Sequence, residues 1–169
     1  MARIHVCSLT KVEATVEEIG AGALVTLLKH DYRMPRPTSI REDRHHRVAI
    51  SDITEAQEGY VLPGEHHVAA YLEFLRGWDR ADPMLIHCYA GVSRSTAAAF
   101  IAVCALDPER DEMALAQEIR TLSPTATPNL LLVKHADTLL GREERMVRAI
   151  QSIGRGADCF EGVPFSLEI

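Results

Sequence analysis

The chain has 169 residues, of which 47% are hydrophobic and 25% charged, and this is enough apolar material for the core of one globular domain spanning residues 1–169. Its formal net charge of -6 and its lack of any Lys/Arg-rich block argue against nucleic acid as a partner, so any anion site must be local. The N-terminus lacks the apolar stretch of a signal peptide and the longest apolar run, residues 97–106, is about half a membrane span, so we expect a cytoplasmic protein with no membrane partner.

Short apolar runs and segments of helical periodicity alternate along the chain. The predicted strands are residues 4–7, 24–28, 47–50 and 84–86. The predicted helices are residues 12–19, a segment between Pro63 and Gly77, residues 95–105 and 114–122, and a last long helix that opens at Thr127-Pro128. Residues 30–46 are expected to form a surface loop, and the tail 155–169 to be loosely ordered. This alternation predicts an α/β fold in which helices flank a largely parallel central sheet.

The four cysteines show neither metal-ligand spacing nor the density of a disulfide framework, which predicts free thiols in a reducing compartment. They are Cys7, Cys88, Cys104 and Cys159. Cys7 and Cys104 lie in apolar segments and are expected to be core residues. The histidine pairs at 45–46 and 66–67 have no Cys or acidic partner at ligand spacing, so we predict no metal site.

The stretch LIHCYAGVSRST, residues 85–96, places a loop between a predicted buried strand and a predicted helix. Such a loop points several backbone N–H groups and the positive end of the helix dipole into one concavity that suits a tetrahedral oxyanion. Gly91 allows backbone geometry that a side chain would resist. Cys88 would lie beneath the anion, where the same donors favour its thiolate and make it a nucleophile at neutral pH. Arg94 can fold back to grip two oxygens with its planar guanidinium, and Ser95 places a hydroxyl near the sulfur.

The same stretch of sequence also resembles a motif of a known protein family. The run from His87 to Ser95 reads HCYAGVSRS and resembles the phosphate-binding loop HCxxGxxRS of the cysteine-dependent protein tyrosine phosphatase superfamily, most closely that of its dual-specificity group. The resemblance implies a phosphotyrosine protein phosphatase-like fold. It also implies a two-step reaction, in which Cys88 attacks phosphorus to form a cysteinyl-phosphate that water then hydrolyses.

The same resemblance assigns roles to the rest of the loop. Arg94 would hold the transferring phosphoryl group, Ser95 would assist the departure of the thiolate, and His87 would support the loop. The equatorial oxygens would be stabilised by the backbone amides of Tyr89, Ala90, Gly91, Val92, Ser93 and Arg94. This chemistry needs no metal or other cofactor.

The first step needs a general acid upstream of Cys88, and the resemblance makes Asp52 in AISDITE the predicted one. Asp52 follows a predicted strand and precedes Cys88 by 36 residues, a spacing close to that of dual-specificity members. The Trp-Pro-Asp of the tyrosine-specific members is missing, so position and context alone support the assignment. The rival acids are Glu55, Glu58, Asp79 and Asp82.

Three of these residues also have purely structural interpretations. Cys88 could be a buried thiol at a strand end, and Asp52 a helix cap or turn residue. The segment LSPTATPNLLLV resembles the part of dual-specificity phosphatases in which an Asn after a Pro supports the phosphate loop, which would give Asn129 that role. Otherwise Asn129 simply starts a helix.

The predicted function is hydrolysis of a phosphorylated protein or a small phosphate ester. Members acting on phosphoinositides place lysines at the variable positions of the loop, and this loop has none, which favours phosphoprotein, with phosphotyrosine first and phosphoserine or phosphothreonine as further substrates. Two alternatives stay open: a rhodanese- or arsenate-reductase-like enzyme, which also puts a Cys in an anion loop, and a catalytically silent phosphate-binding module. The sequence predicts no particular oligomeric state.

Overall fold

A five-stranded sheet forms the centre of the fold, which a computed structural model describes over residues 1–169. The strands are β1 (Arg3–Cys7), β2 (Ala23–Leu28), β3 (His45–Ala49), β4 (Met84–His87) and β5 (Phe165–Glu168). They lie in the order β3-β2-β4-β1-β5; the first four are parallel and β5 runs antiparallel to β1. The predicted α/β fold with a largely parallel sheet is confirmed.

Helices cover both faces of this sheet. They are α1 (Val12–Ile19), α2 (Glu65–Arg76), α3 (Arg94–Leu106), α4 (Glu112–Leu122), α5 (Leu130–Leu140) and α6 (Arg145–Ile153). Because successive strand residues face opposite sides, Val25 and Ile86 join a large hydrophobic cluster with α2 to α6, whereas Leu24 and Leu85 join a smaller one with α1. No helix combines the length and the apolar character needed to cross a bilayer.

The parallel strands bring several loops together, because their carboxyl ends all lie at the same edge of the sheet. β4 leads into the loop of residues 88–94, which continues directly into α3. Its neighbour β2 leads into the 29–44 loop, and β3, next along the sheet, leads into the 50–64 loop. On the other side, β1 ends at Cys7. This edge is where the predicted site residues meet.

The C-terminal tail is part of the sheet, which corrects the expectation of a loosely ordered segment over residues 155–169. The antiparallel register joins residues 3–6 of β1 to residues 165–168 of β5. Phe165 and Leu167 alternate inward and are buried, so they extend the hydrophobic core to this edge.

The last long helix expected from Thr127-Pro128 is in fact two helices. α5 ends at Leu140, and the next residue, Gly141, adopts a left-handed conformation with φ 65° that stops the helix. The carboxylate of Asp137 then accepts the N–H groups of Glu144, Met146 and Val147, so it caps the start of α6.

Candidate active site

The 88–94 loop holds its shape through a close backbone contact at Gly91. Gly91 has φ 73°, and a β-carbon on it would lie 2.9 Å from the carbonyl carbon of Cys7 and from the nitrogen of Ser8. A side chain would therefore meet both a conformational penalty and a steric one at this position. The glycine lets the loop lie directly against the end of β1.

The backbone of this loop turns its carbonyl groups outward. Four carbonyl oxygens accept N–H groups from outside the loop: those of Tyr89 (from Leu9), Ala90 (from Gly162), Val92 (from Thr127) and Ser93 (from Asn129). Because C=O and the following N–H of a trans peptide point in opposite directions, the amides of the next residues must point inward. Of residues 89–93, only Gly91 donates its N–H to a protein group, and that group is the sulfur of Cys88. The other amides of the loop therefore form a nest of donors without protein acceptors.

Cys88 lies at the floor of this nest. Its residue is 2% exposed, and its Sγ accepts the N–H of Gly91 at 3.3 Å and lies 3.1 Å from the hydroxyl of Ser95. Ser95, at the start of α3, is buried and so holds its hydroxyl in one place. The two donors can stabilise negative charge on this sulfur.

The other thiols lie outside the 88–94 loop. Burial raises the pKa of Cys7 to about 11 and that of Cys104 to about 12, so both stay protonated at neutral pH. Cys159 is exposed in the tail. The expectation that Cys7 and Cys104 are core residues is confirmed.

Arg94 presents one free edge of its guanidinium. Nη1 donates to the carbonyl of Ile50 at 3.1 Å, which fixes the side chain against the end of β3. Nε has no partner, and it is the only buried side-chain nitrogen or oxygen in the protein without one. Because the residue is 8% exposed, this unpaired donor is costly unless an acceptor binds there. The Nε edge is therefore shaped for an oxyanion.

A cavity of about 340 Å³ opens in front of Arg94, with walls that include two tyrosines. Tyr32 and Tyr89 meet edge to face with ring centroids 6.2 Å apart. Lys29, also in the wall, has its ammonium 5.0 Å from the ring centroid of Tyr60 in the 50–64 loop. The cavity wall that leads to the 88–94 loop therefore carries aromatic rings and a positive charge.

His87 lies behind the loop in a hydrogen-bonded chain. It is fully buried, and burial lowers its pKa to about 4, so the ring is neutral at neutral pH. Its Nδ1 lies 3.0 Å from the carbonyl oxygen of Cys88, which only an N–H can satisfy. Nε2 must then accept from the hydroxyl of Thr26 at 2.8 Å, and that hydroxyl in turn accepts from Nε2 of His45. Both ring nitrogens of His87 therefore have hydrogen-bond partners.

Asp52 is held beside the loop by two donors to the same oxygen. Its Oδ1 accepts from the hydroxyl of Ser93 at 2.7 Å and from the amide of Asn129 at 3.0 Å. Oδ2 makes no hydrogen bond, and the residue is exposed, so this oxygen can carry a proton toward a ligand. The rivals Asp79 and Asp82 precede β4 and so lie at the opposite edge of the sheet.

The remaining acids are also distinguishable. Hydrogen bonding to Arg44 lowers the pKa of Asp79 to about 2, so this residue is ionised at neutral pH. Glu55 shares a cavity of about 500 Å³ with Asp52 and Asn129, and Glu58 is exposed in the same 50–64 loop. Of the candidate acids, only Asp52 bonds to a residue of the 88–94 loop.

Comparison with known structures agrees with this geometry. The sequence matches no protein-family model and no curated protein. The structure is similar to the PTP-2 phosphatase of Cydia pomonella (20% identity, 80% of this chain and 84% of that one, TM-score 0.61) and to DUSP15 (16% identity, 88% and 90%, TM-score 0.61). It is also similar to the Yvh1 phosphatase domain of Chaetomium thermophilum (18% identity, 85% and 93%, TM-score 0.58). The chain has the dual-specificity phosphatase fold.

Asn129 joins three parts of this dual-specificity phosphatase fold. Its side-chain oxygen accepts the N–H groups of Leu131 and Leu132 and so caps α5. Its side-chain nitrogen donates to Asp52 and to the carbonyl of Ile53. Its own N–H donates to Ser93. Asn129 therefore starts α5 and is also hydrogen-bonded to Asp52 and to the 88–94 loop.

The tail forms a further support for the 88–94 loop, which the sequence did not indicate. Gly162 donates its N–H to Ala90 at 2.8 Å. The adjacent Glu161 carboxylate accepts from the hydroxyls of Ser8 and Thr10. Val163 makes two hydrogen bonds to the loop between α4 and α5. Its carbonyl accepts from the hydroxyl of Ser123, and its N–H donates to the hydroxyl of Thr125. Thr26, His45 and Gly162 were not among the predicted site residues, because no local pattern connects them to the 88–94 loop.

We expect Gly162→Ala to impair the site. A β-carbon at Gly162 would overlap the carbonyl oxygen of Gly91 and press on Val92, so the loop must move. Because small displacements of reacting groups are costly, kcat/KM for an aryl phosphate should fall about 10- to 100-fold. Gly77→Ala is the control, since its β-carbon would make only ordinary contacts. Equal kcat/KM in both variants, with thermal unfolding showing both folded, would contradict a role for the tail.

Proposed function

We propose that this protein is a phosphomonoesterase that hydrolyses phosphoproteins through a cysteinyl-phosphate on Cys88. The observation that supports this most is the combination of inward amides in the 88–94 loop with the unpaired Nε of Arg94, both around the sulfur of Cys88. Amides and a guanidinium edge are donors without acceptors, and a phosphoryl group has the oxygens to satisfy them. A sulfur beneath that group is placed for in-line attack.

The proposed reaction has two steps. The Cys88 thiolate attacks phosphorus, the bond from phosphorus to the ester oxygen breaks, and Asp52 donates its proton to the leaving oxygen. Water then attacks the phosphocysteine with its proton passing to the Asp52 carboxylate. The phosphorus–sulfur bond breaks, releasing phosphate, while the hydroxyl of Ser95 stabilises the departing thiolate. Throughout, Arg94 and the loop amides hold the phosphoryl oxygens.

The walls of the cavity support a phosphotyrosine substrate. Tyr32 and Tyr89 flank Arg94, and Tyr60 lies beyond Lys29, so an aromatic ring carrying the phosphate would meet aromatic surfaces on the way in. Phosphoserine and phosphothreonine would reach the loop without these contacts. We therefore propose phosphotyrosine as the preferred substrate.

An assay with three substrates tests the proposed function. The wild-type protein should hydrolyse para-nitrophenyl phosphate and neither transfer sulfur from thiosulfate nor reduce arsenate. Quenching with acid during turnover should trap a phosphate on Cys88, seen as a mass increase on the peptide that contains this residue. Turnover of thiosulfate or arsenate alone would support a rhodanese- or arsenate-reductase-like enzyme. Phosphate binding without turnover would support a silent module.

We expect Asp52→Asn to lower kcat about 100-fold for an aryl phosphate with a poor leaving group, because the leaving oxygen then departs without a proton. Glu55→Gln is the matched control in the same cavity. The assignment fails if Asp52→Asn behaves like wild type while Glu55→Gln shows the loss.

A further inference from the structure

A second cavity, of about 400 Å³, adjoins the one in front of Arg94 and is lined by cations. The two cavities share Leu28, Lys29 and Tyr32, so they form a continuous depression. The second one adds Arg33 and Arg47. Three basic side chains therefore surround a space directly beside the candidate active site.

These cations have no acidic partners. Ten of the 18 basic side chains of the protein form ion pairs, yet Lys29, Arg33 and Arg47 form none. No acidic residue lines either cavity. Asp31, in the same loop, lies outside both linings and makes no ion pair. In a protein with net charge -6, unopposed positive charge around one cavity marks a local anion site.

Arg47 is held in place for such a role. It lies on β3, opposite Thr26 of β2, and its Nη2 donates to the carbonyl of Met34 at 2.9 Å. This bond fixes the guanidinium against the 29–44 loop, so less side-chain entropy is lost when an anion binds. Arg33 belongs to the same loop and has no side-chain hydrogen bond.

We propose that Lys29, Arg33 and Arg47 bind a second anionic group, a carboxylate or phosphate, on the phosphopeptide whose phosphotyrosine occupies the 88–94 loop. This inference rests on the proposed function and names the substrate preference of that site. Guanidinium forks match carboxylate and phosphate geometry, and Lys29 lines both cavities. Because the two cavities share Leu28, Lys29 and Tyr32, the second group belongs on a residue near the phosphotyrosine in the peptide.

The test compares peptides that differ in one side chain. A phosphotyrosine peptide of neutral residues is prepared with Glu or with Gln at each of the three positions on either side. At one position we expect the Glu peptide to have a kcat/KM about tenfold higher than the Gln peptide, mainly because its KM is lower. In Arg33→Gln/Arg47→Gln the ratio should fall to about one, and it should shrink in wild type as salt is added. Arg76→Gln, an exposed ion-paired arginine on α2, should keep the wild-type ratio.

Other outcomes would overturn the subsite, the peptide assignment or the proposed function itself. No position with a Glu preference in wild type, or a preference that survives in the double variant, overturns the subsite. An inositol polyphosphate turned over with higher kcat/KM than every acidic peptide, by an activity lost in the double variant, overturns the peptide assignment. Failure of the proposed function is distinguishable from all of these, because wild type would then hydrolyse neither the peptides nor para-nitrophenyl phosphate.

Discussion

Cys88→Ser is expected to lower kcat for para-nitrophenyl phosphate by about 10⁴-fold or more. A serine hydroxyl stays protonated at neutral pH, and no side chain bonded to Cys88 in this site can take its proton, so the nucleophile is lost. The amides of the 88–94 loop and the Nε edge of Arg94 are unchanged by the substitution, so the variant should still bind tungstate, a phosphate mimic. Steady-state kinetics and calorimetry with tungstate measure the two effects separately.

The control for this variant is Cys159→Ser, which replaces the exposed thiol of the tail. It should retain wild-type kcat. Two results would contradict the account: substantial turnover by Cys88→Ser, or an equal loss in Cys159→Ser. If Cys88→Ser loses both tungstate binding and turnover, the sulfur instead helps to shape the loop.

Arg94→Lys is expected to lower kcat about 10²- to 10³-fold, although the positive charge is kept. In the wild type Nη1 donates to Ile50 while Nε stays free, so one planar group can be anchored and still bind two phosphoryl oxygens, as proposed. A lysine has a single nitrogen and cannot do both. The substitution should lower kcat more than it raises KM. The proposed hydrogen bonds from Arg94 to the phosphoryl oxygens would strengthen as charge develops on the transferring group.

Arg76→Lys on the surface of α2 is the matched control and should keep full activity. If Arg94→Lys raises KM with kcat unchanged, then Arg94 only attracts the substrate by its charge, and a specific role in the transition state is excluded. Calorimetry with tungstate checks the same point at equilibrium, where the variant should bind more weakly than Cys88→Ser.

The candidate site could be predicted from sequence where its parts are neighbours in the chain. Residues 87–95 are contiguous, and the buried strand before them and the helix after them follow from their apolar pattern. α1 was predicted over the residues it occupies for the same reason. Asp52 and Asn129 lie far from the loop in sequence, and their contacts with Ser93 became visible only in the structure.

The parts that sequence did not predict depend on contacts between distant segments. β5 is four residues long, too short for a clear alternation, and it pairs with a strand more than 150 residues away. The break between α5 and α6 depends on the Asp137 carboxylate reaching over to cap the second helix. Lys29, Arg33 and Arg47 come together only because β2 and β3 are adjacent in the sheet.

We propose that the 88–94 loop wraps its amides around a dianion above the sulfur of Cys88. A crystal structure of the wild-type protein soaked in tungstate tests it most directly. We expect a tungstate whose oxygens accept from the amides of Ala90, Ser93 and Arg94 and from Nε of Arg94, with the tungsten atom directly above Sγ of Cys88. Tungstate bound elsewhere on the protein, with this loop left empty, would contradict it.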